Sequence, residues 1–334
     1  MEDRFKLHGQ VLRRLEDLGL SPAAVLRHAG LPLSLFDQDV VAVNTAQMFA
    51  LWTAMTELSQ RPDIGLAFGS QNQIEHYDPL IIAALYARSF RDAIQRLARY
   101  KQLVCPEEVH VEERDGEAAV SFIWLLKDAP EPPSLMDMCF ASMMMLLQRG
   151  TGQPLRPVRL EMRRPEAHRE LYERHFGCSV RFNAGHDALI FHSADLDRPF
   201  LTHNPEIFRM LGPQLEQELA AKLAERTLPE RVKGVIKRLL AGERPTIGRV
   251  SRELGMSART LQRRLAAEGR TFQEVLEAAR RELARHYLLH SSLELNETAF
   301  LLGYGDANSF FRAFQQWEGE SPGRWRSAQR GVAV

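Results

Sequence analysis

Residues 246–265, TIGRVSRELGMSARTLQRRL, decide the fold class of the last third of this 334-residue chain. Thr246 can cap a first helix, because its side chain can accept from a free backbone N–H of the first turn. Apolar residues then recur on one face of that helix: Ile247, Val250 and Leu254. Gly255 can adopt the positive φ of a tight turn, and Ser257 can cap a second helix. The order helix, short turn, helix predicts a helix-turn-helix unit.

The second helix of this unit has an apolar face and a polar, cationic face. The apolar face consists of Ala258, Leu261 and Leu265. The opposite face consists of Arg259, Thr260, Gln262, Arg263 and Arg264. Arginine can donate two hydrogen bonds to guanine, and glutamine can pair with adenine in the major groove. Taken alone, the pattern fits a DNA-reading helix and an ordinary solvated helix equally well.

A second copy of the pattern favours DNA recognition over a solvated surface. A short helix over residues 295–302 is followed by Gly303-Tyr304-Gly305, and Asp306 can cap a helix over residues 307–317. The inward stripe of that helix is Phe310, Phe314 and Trp317. Its outward side chains are Asn308, Ser309, Phe311 and Arg312.

A connecting helix is predicted between the two units. Thr271 and Glu274 have the spacing of a capping box at its start. Its apolar stripe is Phe272, Val275, Leu276, Ala279, Leu283 and Tyr287. A helix of about 19 residues spans roughly 28 Å, and successive major-groove faces on one side of a duplex are about 34 Å apart. The spacing predicts that the two reading helices enter adjacent turns of DNA.

The residues of this region resemble the signature of the AraC/XylS regulators. The resemblance covers about residues 228–326 and rests on these segments: Ser251–Leu265, Gly303-Tyr304, Ser309-Phe310, Arg312-Ala313-Phe314 and Gly319-Glu320-Ser321-Pro322. It implies that the bases of double-stranded promoter DNA are contacted by Arg259, Gln262, Arg263, Asn308 and Arg312. Thr260 and Ser309, on the same two faces, complete the predicted DNA-binding set.

Three residues depart from the family pattern. Thr298 stands where the family usually has an apolar residue, and Gln315 and Gln316 stand where it often has lysine or arginine. These differences predict a second unit that is less apolar inside, less cationic outside and weaker in its contribution to affinity. Phe311 has two interpretations, contact with a thymine methyl group or packing within the unit.

The chain before these units is predicted to be α+β. Its first hundred residues have helical patterns, including residues 45–58 with Met48, Leu51, Trp52 and Met55 on one face. Alternating apolar residues on both sides of Asp115-Gly116 then predict a β-hairpin. Further helices are expected at residues 136–148 and 165–176, and further strands at 158–162, 180–182 and 189–191.

A long helix is predicted over residues 205–226. Leucine recurs at every fourth position of it, at Leu211, Leu215, Leu219 and Leu223. Such a stripe either docks on its own domain or pairs with a second subunit, and the sequence favours neither.

The N-terminal part resembles the arabinose-binding and dimerisation region of one branch of the same family. The segments concerned are Gly19-Leu20-Ser21-Pro22, Gly30-Leu31-Pro32, Asp63-Ile64-Gly65-Leu66 and Leu97-Ala98-Arg99-Tyr100. The resemblance implies a small-molecule effector of unassigned chemistry and a homodimer, with RNA polymerase as a further partner. It identifies no pocket residue.

Charge is unevenly distributed along the chain. The formal net charge is zero, yet residues 228–334 carry 18 Lys and Arg against 12 Asp and Glu. A basic end joined to an acidic remainder is typical of a nucleic-acid-binding tail attached to another domain. The start of the chain is too charged for a secretory signal, and no apolar run reaches the length of a membrane span. A cytoplasmic protein without membrane contact is therefore expected.

Other chemistry is weakly indicated. The histidines between His168 and His203 lack a metal-ligand spacing, and no phosphate-binding loop occurs, so neither a metal nor a cofactor is expected. The main enzymatic alternative is an alkyl transferase fused to a similar tail, which would need a reactive thiolate. Cys178, three residues after His175, is its candidate. A third alternative is an architectural DNA-binding protein without a ligand.

The expected fold class is an α+β N-terminal effector domain followed by an all-α domain with two helix-turn-helix units joined by a linker helix. Residues 1–226 are the expected sensing and dimerisation domain, and residues 228–334 the expected DNA-binding domain. The expected function is sequence-specific transcription regulation rather than catalysis.

Overall fold

The computed structural model describes residues 3–36, 40–71, 78–125, 131–224, 227–240, 245–290 and 293–329. The chain divides into two compact units, residues 2–220 and residues 221–334. The first unit is α+β and the second is all-α, as the sequence predicts. None of the helices in these described ranges has both the length and the apolar composition of a membrane span.

The first unit contains seven strands and ten α-helices within its described residues. In chain order they are β1 (Phe5–His8), α1 (Gln10–Asp17), α2 (Pro22–His28), β2 (Val40–Val43), α3 (Thr45–Ser59), α4 (Ile64–Gly69), α5 (Pro79–Leu85), α6 (Phe90–Val104), β3 (Glu107–Arg114), β4 (Glu117–Trp124), α7 (Pro133–Thr151), β5 (Arg159–Glu161), α8 (Arg169–Phe176), β6 (Ser179–Arg181), β7 (Ala188–His192), α9 (Ser193–Leu196) and α10 (Pro205–Ala224).

The larger sheet has the strand order β3-β4-β7-β5-β6. The predicted hairpin is confirmed: Arg114 pairs with Glu117 across a turn in which Asp115 and Gly116 both have positive φ. All neighbouring strands are antiparallel except β5 and β6, which run parallel. The buried face of α7 packs in the same core as this sheet.

The prediction of only helices in the first hundred residues is wrong at β1 and β2. These strands form a two-stranded antiparallel sheet in which Phe5 pairs with Val43. Each strand has only four residues, too few for a period-two pattern to stand out, and the partners are distant in sequence. The predicted start of α8 is also too early, because His168, with φ of 51°, interrupts the helix before Arg169.

The middle of α10 docks on its own unit. Leu215 is buried in the core that α7 and the larger sheet share, and Leu219 packs against it. The Nε and Nη2 of Arg99 donate hydrogen bonds to the carboxylate of Glu216 at 2.7 and 2.9 Å, and the hydroxyl of Tyr100 also donates to this carboxylate. Leu223 is exposed. The predicted helix end at Arg226 lies outside the described residues.

Two glycines set the distance between α4 and α7. A Cβ at Gly65 would overlap the carbonyl oxygen of Ser134, and a Cβ at Gly69 would overlap that of Met138. Both obstacles are backbone atoms of α7, which a rotamer change cannot move aside. The two helices can therefore pack this closely only with glycine at these positions.

We expect Gly65→Ala to lower the free energy of unfolding by about 1–3 kcal/mol, the usual cost of overpacking. The matched control is Gly234→Ala, because Gly234 lies inside a helix of the second unit with no atom near a new Cβ. That substitution should stabilise its helix by about 0.5–1 kcal/mol. Urea unfolding followed by circular dichroism measures both effects. Equal effects of the two substitutions would contradict the close-packing account.

The second unit contains seven helices within its described residues. They are α11 (Leu228–Leu240), α12 (Ile247–Glu253), α13 (Ala258–Ala267), α14 (Phe272–His290), α15 (Leu295–Leu301), α16 (Ala307–Glu318) and α17 (Pro322–Gln329). They form two small cores. Leu261 and Leu265 of α13 lie in the first core, and Phe310 and Phe314 of α16 lie in the second. The long helix α14 contributes side chains to both.

Candidate nucleic-acid interface

The two predicted helix-turn-helix units are confirmed by their caps and turns. The side chain of Ser257 accepts from the backbone N–H of Thr260 at 3.2 Å, and Asp306 accepts from that of Ser309 at 2.9 Å. Thr246 caps α12 in the same way. Gly255 and Gly303 have φ of +67° and +71°, which any other residue would adopt only with strain. Each unit is therefore a helix, a glycine turn and a capped second helix.

The helices α13 and α16 correspond residue by residue when their caps are aligned. Ser257 corresponds to Asp306, and the inward residues Leu261 and Leu265 correspond to Phe310 and Phe314. On the outward faces, the corresponding pairs are Arg259 with Asn308, Thr260 with Ser309, Gln262 with Phe311, and Arg263 with Arg312. The two faces therefore share their geometry and differ in their chemistry.

Five of the seven predicted site residues are exposed on these faces: Arg259, Gln262, Arg263, Asn308 and Arg312. Thr260 and Ser309 are half-buried, and their hydroxyls already have partners. The Thr260 hydroxyl lies 2.9 Å from that of Ser257, and Ser309 donates to Asp306 at 2.7 Å. These two residues belong to the caps of the helices more than to their open faces.

The guanidinium groups on the outward faces form no ion pair within the part of the chain that the structure describes. Among the described residues, none of Arg259, Arg263 and Arg312 forms an ion pair with a carboxylate. Other arginines of this unit do have a carboxylate partner, since Arg281 and Arg285 both bind Glu318. An exposed cation without an internal partner is available to a phosphate or to the edge of a base.

The departures in the second unit are accommodated locally. Thr298 is fully buried, but its hydroxyl donates to the carbonyl of Glu294 at 3.0 Å, so no polar group is left unsatisfied. Phe311 is half-buried, and its ring centroid lies 5.8 Å from that of Phe310. Its packing interpretation is thus supported.

The predicted connecting helix and its capping box are present in α14. The backbone N–H of Thr271 donates to Glu274, and the backbone N–H of Glu274 donates to the hydroxyl of Thr271. Val275 and Ala279 lie in the first core, and Ala284 lies in the second. One continuous helix of 19 residues therefore belongs to both units.

Arg280 of α14 was not identified from the sequence, although it holds the turn of the second unit. Its Nε donates to the carbonyl of Leu302 at 2.9 Å, and its Nη2 donates to that of Gly303 at 3.0 Å. Its guanidinium stacks 4.4 Å from the ring centroid of Tyr304. In the sequence, Arg280 follows Leu276 by four residues and so lies beside the apolar stripe of the helix. An arginine at that position is the feature that could have indicated its structural role.

A second clamp joins α14 to the end of α16. Glu318 is 4% exposed at its side chain and accepts from Arg281 and Arg285, each at 2.8 Å. Burial opposes the charge of this carboxylate, but the two arginines outweigh that cost and hold the pKa of Glu318 below its ordinary value. Together with Arg280, this clamp fixes both ends of the second unit to the connecting helix.

We expect Arg280→Met to weaken binding of the whole protein to a full DNA site, because the turn before α16 loses two hydrogen bonds. Two buried carbonyls left without donors cost about 1–3 kcal/mol each. The matched control is Arg270→Met, because Arg270 is exposed and takes no part in the contacts that Arg280, Arg281 and Arg285 make. Fluorescence anisotropy with a labelled duplex measures the affinity, and hydrogen exchange reports the stability of α16. Equal affinity and equal exchange in the two variants would contradict the bracing role.

The enzymatic alternative finds no support in the geometry around Cys178. Burial raises the pKa of its thiol to about 11, whereas the alkyl transferase hypothesis requires a thiolate at neutral pH. His175 lies 3.5 Å from the hydroxyl of Ser70. In the described part of the chain, no three His, Cys, Asp or Glu side chains are placed to hold a metal ion.

A cavity of about 170 Å³ lies inside the first unit. It was missed from the sequence, because its lining comes from residues scattered between Lys6 and Leu146. Trp52 and Trp124 form part of the wall. The Nε1 of Trp124 donates to the hydroxyl of Thr45 at 3.0 Å, which fixes the orientation of the indole. The cavity is partly open to solvent and mostly apolar, as ligand sites commonly are.

Comparison with known proteins gives matches at both ends of the chain. A family model described as the arabinose-binding domain of AraC transcription regulator, N-terminal, matches residues 19–200. A helix-turn-helix domain model matches residues 250–328.

The similarity to known relatives covers nearly the whole chain. The ornithine utilization regulator of Pseudomonas aeruginosa is 29% identical over 322 residues, which cover 95% of this chain and 94% of that protein. The HTH-type transcriptional regulator VirS of Mycobacterium tuberculosis is 26% identical over 317 residues, covering 94% and 93%. A crystal structure of the transcriptional regulator CdpR from Pseudomonas aeruginosa aligns with 96% of this chain and 99% of that chain, at 22% identity and a TM-score of 0.46.

These matches confirm the resemblance inferred from the residues. The domains and relatives are those of DNA-binding transcriptional regulators with an effector-binding N-terminal domain, not those of enzymes. The chain belongs to the AraC family of transcription regulators.

Proposed function

We propose that residues 228–334 read promoter DNA with α13 and α16 in two successive major-groove faces, and that residues 1–226 sense the effector and form a homodimer. The observation that carries the proposal is the repeated outward face, on which Arg259, Arg263 and Arg312 have no internal carboxylate partner among the described residues. Cations left unpaired on two matched helices fit a polyanion with a regular repeat.

The seven site residues divide into two roles under this proposal. Arg259, Gln262, Arg263, Asn308 and Arg312 read base edges, since they are exposed and carry the donors and acceptors that major-groove recognition uses. Thr260 and Ser309 hold the first turn of each helix by their cap contacts. They thereby support the base-reading residues on the same faces.

The effector acts from the cavity of the first unit. It can regulate only by binding one arrangement of the protein more tightly than another, because a ligand of equal affinity for both shifts no population. The protein works in the cytoplasm, where the DNA is.

Self-association is supported by large apolar side chains left in solvent. Leu201 is 79% exposed and Met210 is 76% exposed. Burying these side chains against a second copy would remove apolar surface from water, which is favourable, and we assign these two to the homodimer. Phe300 on α15 is 79% exposed and is assigned to a contact with RNA polymerase.

We expect Arg263→Ala to lower affinity for the preferred DNA site by about 1–3 kcal/mol and to relax the base preference at one position. Arg312→Ala should do the same at a second position about one helical turn away. The control is Arg88→Ala, a strongly exposed arginine of the first unit. Affinities for the preferred site and for single-base variants, measured at several salt concentrations, test both substitutions.

The loss must depend on sequence if these arginines read bases. A uniform loss on every duplex, with the salt slope reduced by about one, would instead assign the arginine to a phosphate contact. No loss for either substitution would contradict the proposed interface.

A further inference from the structure

The cavity of the first unit is small and lies between two clusters of core residues. One cluster contributes Trp52 and Leu135 to the wall, and the other contributes Phe122 and Leu146. Its volume of about 170 Å³ is close to the roughly 150 Å³ of a protein cavity that binds benzene. The apolar part of a ligand that fills this volume is about the size of one six-membered ring.

The wall of the cavity is unsuited to a sugar. It is formed mostly by aliphatic, aromatic and methionine side chains, among them Leu51, Trp52, Met55, Phe122, Met143 and Leu146. Each sugar hydroxyl buried there would need a hydrogen-bonding partner, and a missing partner costs free energy. The arabinose-binding description of the family domain therefore does not predict the ligand of this chain.

The polar groups of the wall include one ion pair, between Lys101 of α6 and Glu107 of β3. Lys101 Nζ lies 2.9 Å from Glu107 Oε2, and Glu107 is 2% exposed. Glu107 also accepts weak hydrogen bonds from Cys105 at 3.8 Å and from Cys139 at 3.7 Å. The carboxylate thus has three donors from the protein and no need of a ligand.

The ammonium of Lys101 has hydrogen-bonding capacity left over. An ammonium has three N–H donors, and in the described part of the chain Glu107 is the partner of Nζ. Burial disfavours its charge, but the ion pair with Glu107 outweighs this, and the pKa of Lys101 is raised well above its ordinary value. The group is a cation at neutral pH with donors available to an acceptor in the cavity.

The described lining of the cavity contains both cations and carboxylates. Its cations are Lys6, Arg14 and Lys101, and its carboxylates are Asp78 and Glu107. Asp78 already caps α5 by accepting from the backbone N–H of Ile81 at 3.0 Å. Among these charges, Lys101 is the cation that has donors available to an anionic group in the cavity.

We propose that the effector is a small monocarboxylate with an apolar body, whose carboxylate accepts hydrogen bonds from Lys101 Nζ while the apolar wall encloses the body. This inference rests on the proposed function only in treating the cavity as the effector site. A short or branched aliphatic acid and a single-ring aromatic acid share this chemistry.

The experiment compares each acid with its neutral counterpart on the full-length protein. The probes are hexanoate with hexan-1-ol, and benzoate with benzyl alcohol. L-Norleucine adds an ammonium to the aliphatic acid, and L-arabinose represents a sugar. Binding is followed by tryptophan fluorescence, since Trp52 and Trp124 line the cavity, and by the melting temperature, which a ligand of the native state raises. We expect the acids to bind about tenfold or more tightly than the alcohols, as for a hydrogen bond to a charged group.

Two variants test the role of Lys101. Lys101→Met removes the ammonium but leaves Glu107 buried without its ion pair, which can impair folding. Lys101→Met/Glu107→Gln removes both charges and keeps the volume of the wall. We expect this double variant to bind the alcohols as the natural protein does, and to bind the acids no more tightly than the alcohols.

Several outcomes would overturn the proposal. These are equal binding of acids and alcohols by the natural protein, preference for L-norleucine or L-arabinose, an acid preference that survives in the double variant, and no response to any probe. The DNA-binding proposal is judged separately, by the arginine variants of α13 and α16 on DNA without effector. A wrong ligand class would therefore show in the ligand-binding measurements, and a wrong DNA interface would show in the DNA-binding measurements.

Discussion

The burial of α14 between two small cores is the constraint on which the second unit depends. Val275, Leu276 and Ala279 pack in one core, and Ala284 and Leu288 pack in the other. Cores of this size are marginal alone, so the shared helix is part of the stability of both. A continuous helix also fixes its two ends relative to each other. Its 19 residues correspond to roughly 28 Å, which is near the groove repeat of a duplex.

The cations of this unit are divided between structure and solvent. Arg280 is bound to backbone carbonyls, and Glu318 neutralises two further arginines of α14. Lys233 and Lys237 of α11 both bind Glu282 on α14. On the outward faces of α13 and α16, Arg259, Arg263 and Arg312 form no ion pair with a described residue. The positive charge on these two faces is thus available to DNA.

Local features were predictable from the sequence, and features made by distant residues were not. The hairpin turn at residues 115–116 and the caps of α13 and α16 depend on neighbouring residues, and all were predicted correctly. The pairing of β1 with β2 joins short segments far apart in the chain, so no local pattern revealed it. The cavity, too, is formed by residues that are far apart in the chain, so no local pattern revealed it. The outward faces could be identified, but the pairing of Arg280 with the turn of the second unit required the fold.

The most direct test of the two-helix account is selection of preferred sites from random duplex DNA by the full-length protein. The account predicts two conserved blocks within each half-site, separated by about one helical turn of 10–10.5 base pairs, with an affinity that falls steeply as salt rises. A single conserved block, or enrichment of no sequence at all, would contradict it.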